Sequence, residues 1–346
     1  MPSSSAAWCR LSHSTTEQTR AGLRFKMNLD RLNKNSFMVL GRAGLDLYAD
    51  PPGTQIENAQ QFYAALGGSA ANIAAAIVKL GGAASLVTSV SDDAVGRFTR
   101  KQLQHYGVAT DYVSTVGGEA RNSLAVVETR AENCQSVIYR NGAADFQLAV
   151  KDVEAIAFGA FGALIITGTA LASEPSRSAS LLAMERARMA GLLVIIDLDY
   201  RPYSWVSSVE AARIYQQAAG MSDIVVGNDV EFAVMAEAAN GKALARNLAN
   251  TTAAIVVYKM GEKGSITFTK DQSFEQGIFS VAALKPTGAG DAFMAGFVTS
   301  LACGLELPIA VRRGSAAAAI VVTRVGCAPA SPTVPELDAF MANHRN

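Results

Sequence analysis

From Phe37 onward, short apolar runs that read as strands alternate with segments whose apolar residues recur at helical spacing, and no other feature restricts the fold as much. Phe37 to Leu40 precedes a helical pattern over Ala70 to Leu80, strand-like Ala84 to Val90, and a helix near Gly96 to Tyr106. The pattern returns with strands at Ala163 to Thr167, Leu193 to Asp199, Ile224 to Val226 and Ala254 to Tyr258, with helices near Pro175 to Ala190 and Ser208 to Ala219. Such repetition predicts a parallel sheet with helices on its faces. Between the halves the period changes. Arg121 to Glu128 and Gln135 to Arg140 alternate like strands around a polar turn, Thr129 to Asn133. This hairpin, with strand material between Asp46 and Phe62, is expected to form a small sheet over one end of the main domain.

The chain has 346 residues, half of them hydrophobic, enough for one large α/β domain or two ordinary ones. Its 30 basic and 30 acidic residues cancel, which gives no general pull toward nucleic acid or an anionic membrane. Attraction to a phosphate therefore has to be local. Cys9, Cys134, Cys303 and Cys327 are scattered without a paired spacing or His neighbours, which argues against zinc and a disulfide framework and for a reducing cytoplasm. No apolar run reaches the roughly 18 residues of a membrane span. Residues 1–36, rich in Ser, Thr, Arg and Asn, read as a disordered extension ahead of a domain over 37–346. Met27 offers a second start, and a transit peptide is the rival reading, weakened by Glu17 and Asp30.

The strongest local signal is Lys285-Pro286-Thr287-Gly288-Ala289-Gly290-Asp291, opening an apolar helix. Small residues leave backbone N–H groups free to face an anion at the positive end of the helix dipole. An acid beside such a phosphate cradle is suited to take a proton from an attacking hydroxyl, and Asp291 is the expected base. The alternative is that Asp291 merely caps the helix. Gly67-Gly68-Ser69-Ala70-Ala71-Asn72 also precedes a helix. Here the choice lies between a ligand approaching the main chain, with Asn72 on a substrate hydroxyl, and tight packing.

Ile195 to Trp205 ends a strongly apolar strand, and if the strand persists, Asp197, Asp199 and Arg201 share a side. Arg201 either clamps a substrate carboxylate or pairs locally with an Asp. Asn228 and Glu231, three apart, suit Mg²⁺ held through water or an ordinary helix start. Lys259-Met260-Gly261-Glu262-Lys263-Gly264 follows another strand and suits the nucleotide or a plain turn.

The order of these pieces, Gly44-Leu45-Asp46, Gly-Gly-x-x-x-Asn, Asn-x-x-Glu, Gly-x-x-Gly and a closing Gly-Ala-Gly-Asp, resembles the ribokinase-like (PfkB) carbohydrate kinases from about residue 37 to the end. Gly41 to Tyr48, Tyr139-Arg140, Gly168 to Leu171 and Asp199 to Trp205 are similar to a branch that phosphorylates a dehydro-deoxy sugar acid in myo-inositol breakdown. The resemblance implies a three-layer α/β/α domain with a small β-sheet lid, its strands from about 45–65 and 110–142. It implies ATP and Mg²⁺ as cosubstrates and phosphorylation of a terminal hydroxyl. By motif, Asp46, Gly68 and Asn72 bind substrate hydroxyls, and Gly288, Ala289 and Gly290 form an anion hole. Asn228, Lys259, Gly261 and Gly264 serve the nucleotide, Glu231 the metal through water, and Arg140 and Arg201 the acid's carboxylate.

Many relatives place an Asp where this chain has Lys285, and that Asp helps hold a monovalent cation. Here the ammonium either substitutes for the ion or points into solvent, which puts potassium activation in doubt. The expected partner is a small sugar acid, with no nucleic acid and no membrane, and relatives dimerise through the lid. Rival readings are a 2-keto-3-deoxygluconate, fructose, ribose or nucleoside kinase and a non-catalytic sugar- or nucleotide-binding regulator. A dehydrogenase is disfavoured, because Gly41-Arg42-Ala43-Gly44 has the wrong spacing for a dinucleotide fingerprint.

Overall fold

The computed structural model describes residues 30–237 and 240–344. Its main sheet comprises β1 (Ser36–Leu40), β4 (Ala83–Ser91), β5 (Val113–Val116), β8 (Ala163–Thr167), β9 (Leu193–Asp197), β10 (Ile224–Asn228), β11 (Ile255–Lys259), β12 (Ser265–Phe268) and β13 (Ser273–Gln276). The spatial order is β13-β12-β11-β10-β9-β8-β1-β4-β5. Pairing is parallel from β5 to β11 and antiparallel at the edge formed by β12 and β13. Strands such as β8 (ALIIT) and β9 (LVIID) are buried along their whole length. Branched apolar side chains fill both faces of such strands, as a sheet covered on both sides requires.

Helices α1 (Ser69–Lys79), α2 (Ala94–His105), α3 (Val150–Glu154), α4 (Ser176–Met189), α5 (Ser208–Gly220), α6 (Asp229–Met235), α7 (Gly241–Thr251), α8 (Ala289–Ala302), α9 (Leu307–Val322) and α10 (Val334–Asn343) complete the layers. Ile73 and Ile77 of α1, Phe293 and Phe297 of α8 and Val311 and Ile320 of α9 build the core on one face. Ala179 and Met184 of α4, Ile214 and Tyr215 of α5 and Phe232 of α6 build the other. Each large side chain so buried contributes roughly 1.5–3 kcal/mol, which locks the sheet between two rigid layers.

Four strands form a second sheet in the order β3-β2-β6-β7: β2 (Gly44–Asp50), β3 (Gln61–Gly67), β6 (Ser123–Val127) and β7 (Ser136–Tyr139). Tyr48, Ala65, Ala125, Val127 and Cys327 pack beneath it as a separate small core. Residues 41–43 alone join β1 to β2, and Gly68 alone separates β3 from α1. Among the described residues no helix is long and apolar enough to cross a membrane.

Three expectations are corrected. The extension read as disordered through residue 36 is ordered from Asp30: Leu32 is fully buried, Lys34 donates to Gly159 O at 2.9 Å, and β1 starts at Ser36. Residues 1–29, with Met27, lie outside the described residues. Val113–Val116, within the stretch assigned to the small sheet, instead pairs with β4 at the edge of the main sheet. The strand ending in Leu193–Asp197 does not persist, because Asp199 takes a positive φ of 38° and breaks the alternation.

Candidate active site

Strand order reverses around β1, whose neighbours are β4 and β8, and a crevice at the carboxyl ends of strands is expected at such a switch point. A cavity of about 480 Å³ occupies this end, between the main sheet and the small one. Asp46, Asn72, Arg140, Arg201, Asn228, Glu231, Lys259, Gly288, Gly290 and Asp291 all line it. Residues from seven separate stretches of sequence are thus gathered around one space.

The Gly-Ala-Gly-Asp turn forms the N-terminus of α8. Gly288 is its cap residue at φ 84°, a conformation glycine adopts without strain, and a Cβ there would come within 2.7 Å of Cys327 Sγ. No side chain caps the helix. The first ladder bond is Ala292 N to Gly288 O, so the amides of Ala289, Gly290 and Asp291 have no intrahelical acceptor. Some helices do carry a side-chain cap, as Asp93 on α2, Ser207 on α5 and Asn228 on α6, while α1, α4 and α9 start without one as α8 does. An uncapped N-terminus at a cavity is a place where an anion can accept those N–H groups. Asp291 does not act as the cap; its carboxylate accepts from Asn72 Nδ2 at 2.9 Å. Burial, and then the neighbouring charge of Asp199, push its pKa up to about 7, against the opposing hydrogen bond from Asn72.

Beside it, Lys259 at the end of β11 reaches Asp197 at 3.7 Å and lies 5.8 Å over the Phe293 ring. Its Nζ is 3.5 Å from where a Cβ on Gly290 would stand, so the ammonium borders the free amides. Burial opposes its charge, but Asp197, Glu231, Asp291 and Asp199 together hold its pKa above the usual lysine value. Glu231 is buried and accepts from Tyr200 N at 3.1 Å and Asn228 N at 2.7 Å. Asn228 Oδ1 in turn accepts from Glu231 N at 2.9 Å, a reciprocal capping box. Burial first, and Asp197 among the charges, raise the Glu231 pKa to about 7. Both readings of Asn228 and Glu231 therefore hold geometrically: they start α6, and they face the cavity. Among the described residues no three ligating side chains converge on one point. The acids Asp197, Asp199 and Glu231 accordingly fit a divalent ion held through water and phosphate oxygens, not a protein cage.

At the small-sheet end, Asp46 accepts from Tyr48 OH at 3.1 Å through one oxygen, while its Oδ1 is buried without a partner. Burial raises its pKa to about 6, against the attraction of Arg42. Asn72 Oδ1 is likewise unpartnered. Arg140 is buried, pairs with Asp145 through Nε and Nη2, and stacks 3.9 Å over Phe146, yet its Nη1 has no acceptor. Each unsatisfied buried group costs about 1–3 kcal/mol. Asp46, Asn72 and Arg140, which carry three of them, are residues of the cavity wall and make that wall polar.

Arg201 extends from the strand end and pairs with Asp199 at 2.8 Å, with nearly half its side chain exposed at 47%. Ser69 Oγ donates to the other Asp199 oxygen at 2.6 Å, fixing that acid from α1. Four expected residues do not line the cavity. Gly68, at φ 98°, lets the main chain of Arg42 pack against it, since a Cβ would meet Arg42 O at 2.3 Å. Ala289 belongs to the turn without facing the space, and Gly261 and Gly264 bracket a one-turn 3₁₀ segment beyond it. Several lining residues escaped sequence reasoning: Arg42, Thr169, Tyr203 and Cys327. Arg42 lies two residues beyond the end of β1, and a charged residue in that short link was the available signal.

The model of the pfkB family of carbohydrate kinases matches residues 34–334. Over 310 residues, 88% of this chain and 94% of the relative, the sequence is 42% identical to a 5-dehydro-2-deoxygluconokinase of Photobacterium profundum. A fructokinase from Xylella fastidiosa with bound ATP superimposes with a TM-score of 0.80 at 24% identity, covering 90% of this chain and 99% of that one. A double-mutant fructokinase of Vibrio cholerae O395, bound to fructose, ADP and a potassium ion, gives a TM-score of 0.77 at 25% identity, covering 88% and 97%.

Proposed function

This chain belongs to the pfkB family of carbohydrate kinases and is an ATP-dependent sugar kinase; we propose that its substrate is the sugar acid for which its relative is named, 5-dehydro-2-deoxygluconate, phosphorylated at the terminal hydroxyl. The observation that carries the acid reading is Arg140, whose buried Nη1 lacks an acceptor in the same cavity as Asp291. Asp145 already balances the charge of this guanidinium, and the donor it leaves over on Nη1 is matched to an oxygen of a carboxylate. Asp46 Oδ1 and Asn72 Oδ1, also unpartnered, suit sugar hydroxyls.

In this reading Asp291 takes the proton of the attacking hydroxyl, and Asn72 aims its carboxylate. The amide of Gly290, with Lys259 beside it, meets the charge that develops on the transferred phosphoryl group. A pKa of about 7 suits a base working near neutrality. Mg²⁺, held through water by Glu231 and its neighbours, would neutralise the phosphates. Asn228 and Lys259 lie toward the nucleotide, and Gly261 and Gly264 border its outer part. The small sheet acts as a lid that excludes water from the transfer. On its outer strands Phe62, Tyr63, Val137 and Tyr139 are exposed, which supports pairing of two copies through the lid.

Coupled ADP release measured over a panel of sugar acids and their neutral analogues tests the reading. The acid is expected to exceed its neutral analogue in kcat/KM by tenfold or more, about 1.4 kcal/mol. Equal turnover of the two would remove the case for an acid.

A further inference from the structure

We propose that the Lys285 ammonium is a built-in cation of the anion-hole loop, leaving no place there for a monovalent ion, and that it positions the Thr287–Gly288 peptide for phosphoryl transfer. This rests on the kinase reading for its purpose, though not for its geometry.

Lys285 has no solvent exposure, although lysine is among the residues least often buried. Its Nζ donates to Thr287 O at 2.5 Å and to Val321 O at 3.4 Å. Among the described residues it forms no ion pair, so main-chain carbonyl oxygens are what receive the charge, as they would a metal ion. The root of the side chain is fixed as well, with Leu284 N and Lys285 N both donating to Val322 O, at 2.7 and 3.1 Å.

A trans peptide points its C=O and N–H in opposite directions. With Thr287 O drawn onto the ammonium, the N–H of Gly288 faces the other way, toward the cavity that Thr287 and Gly288 line. The αL turn at Gly288, closed from below by Cys327, keeps that peptide from rotating. Burial pulls the Lys285 pKa down, while the carboxyl groups of Asp291 and Asp46 act to keep it charged.

The residues present do not fit a separate monovalent ion. Thr287 O and Val321 O already accept from Nζ, and a second cation about 4 Å away would meet repulsion worth roughly a thousandfold in affinity.

Two measurements on the intact chain test the proposal, each with KCl exchanged for tetramethylammonium chloride at fixed ionic strength to hold screening constant. Wild-type turnover is expected to change by less than about twofold, and the melting temperature to show no potassium-specific rise. Lys285→Met should keep the fold and the KM for ATP but lower kcat by on the order of tenfold to a hundredfold. Lys285→Ala, which opens the space, should regain part of that loss with potassium or a short alkylammonium. Potassium activation of the wild type by tenfold or more, or potassium-specific stabilisation of it, overturns the proposal. A wild type that turns over no sugar in any salt sinks the kinase reading instead, and the melting curves still decide the question of the ion.

Discussion

Asn72 Nδ2 donates to Asp291 Oδ2 at 2.9 Å, joining the first turns of two helices 219 residues apart in sequence. The bond brings a group facing the sugar and the base into one unit, and it favours the ionised carboxylate that catalysis needs. Burial outweighs it, which leaves the acid poised near neutrality.

Replacing Asp291 with Asn keeps the shape and removes the base. Turnover is expected to fall by about 10²–10⁴, while ATP affinity measured by calorimetry stays within a few-fold. Near-normal turnover would show that another group takes the proton.

The same variant should be more stable than the wild type. Asp291 gains its proton at about 7 in the folded chain against an ordinary value of 3.8. Between those values the folded state binds more protons, so stability is lost as pH rises. Removing the charge should therefore give a gain that is small near pH 4, grows through the window and is full above pH 7. One pKa unit is worth about 1.4 kcal/mol, so a gain of about 1–3 kcal/mol is expected. Melting curves at low and high pH check it, and an equal gain at both would refute the burial argument.

The acid limb of kcat/KM is expected near pH 7, where both Asp291 and Glu231 titrate. Asn72→Ala removes a bond that stabilises the Asp291 charge, so the limb should move to higher pH. A limb that stays in place would assign it to Glu231.

Arg140 reports on the carboxylate. Its removal alone would strand buried Asp145, at about 3–5 kcal/mol, so the test pairs Arg140→Met with Asp145→Asn. Affinity for the sugar acid should fall by about ten- to a hundredfold, a charged hydrogen bond being worth about 1.5–3 kcal/mol. A neutral analogue should be affected little. Equal losses for both substrates would make Arg140 a structural residue.

The central strands and their helices were legible because they run apolar and long; Ala163–Thr167, for example, is found at its expected bounds. The edge was not. Ser273–Gln276 is polar and half exposed, and Val113–Val116 is only four residues long. Helix α9 is rich in Ala and Val and buried on much of its surface, which blurs a helical period. At the site, residues in sequence motifs were visible, while those that depend on backbone geometry were not. Arg201 pairs with Asp199, the local partner that was one of its two sequence readings, although the strand has already broken at the positive φ of Asp199. Lys285 likewise read equally well as solvated until its carbonyl acceptors were seen.

The hairpin formed by β2 and β3 is tethered at both roots, by residues 41–43 and by Gly68, and those roots lie side by side, with Ala71 N donating to Arg42 O at 3.3 Å. The two roots are thereby pinned beside one point at the carboxyl end of β1, while β6 holds β2 along residues 44–48. Arg42 and Ser69 stand at those roots and also line the cavity, so the covalent base of the hairpin is itself part of the wall a ligand would touch.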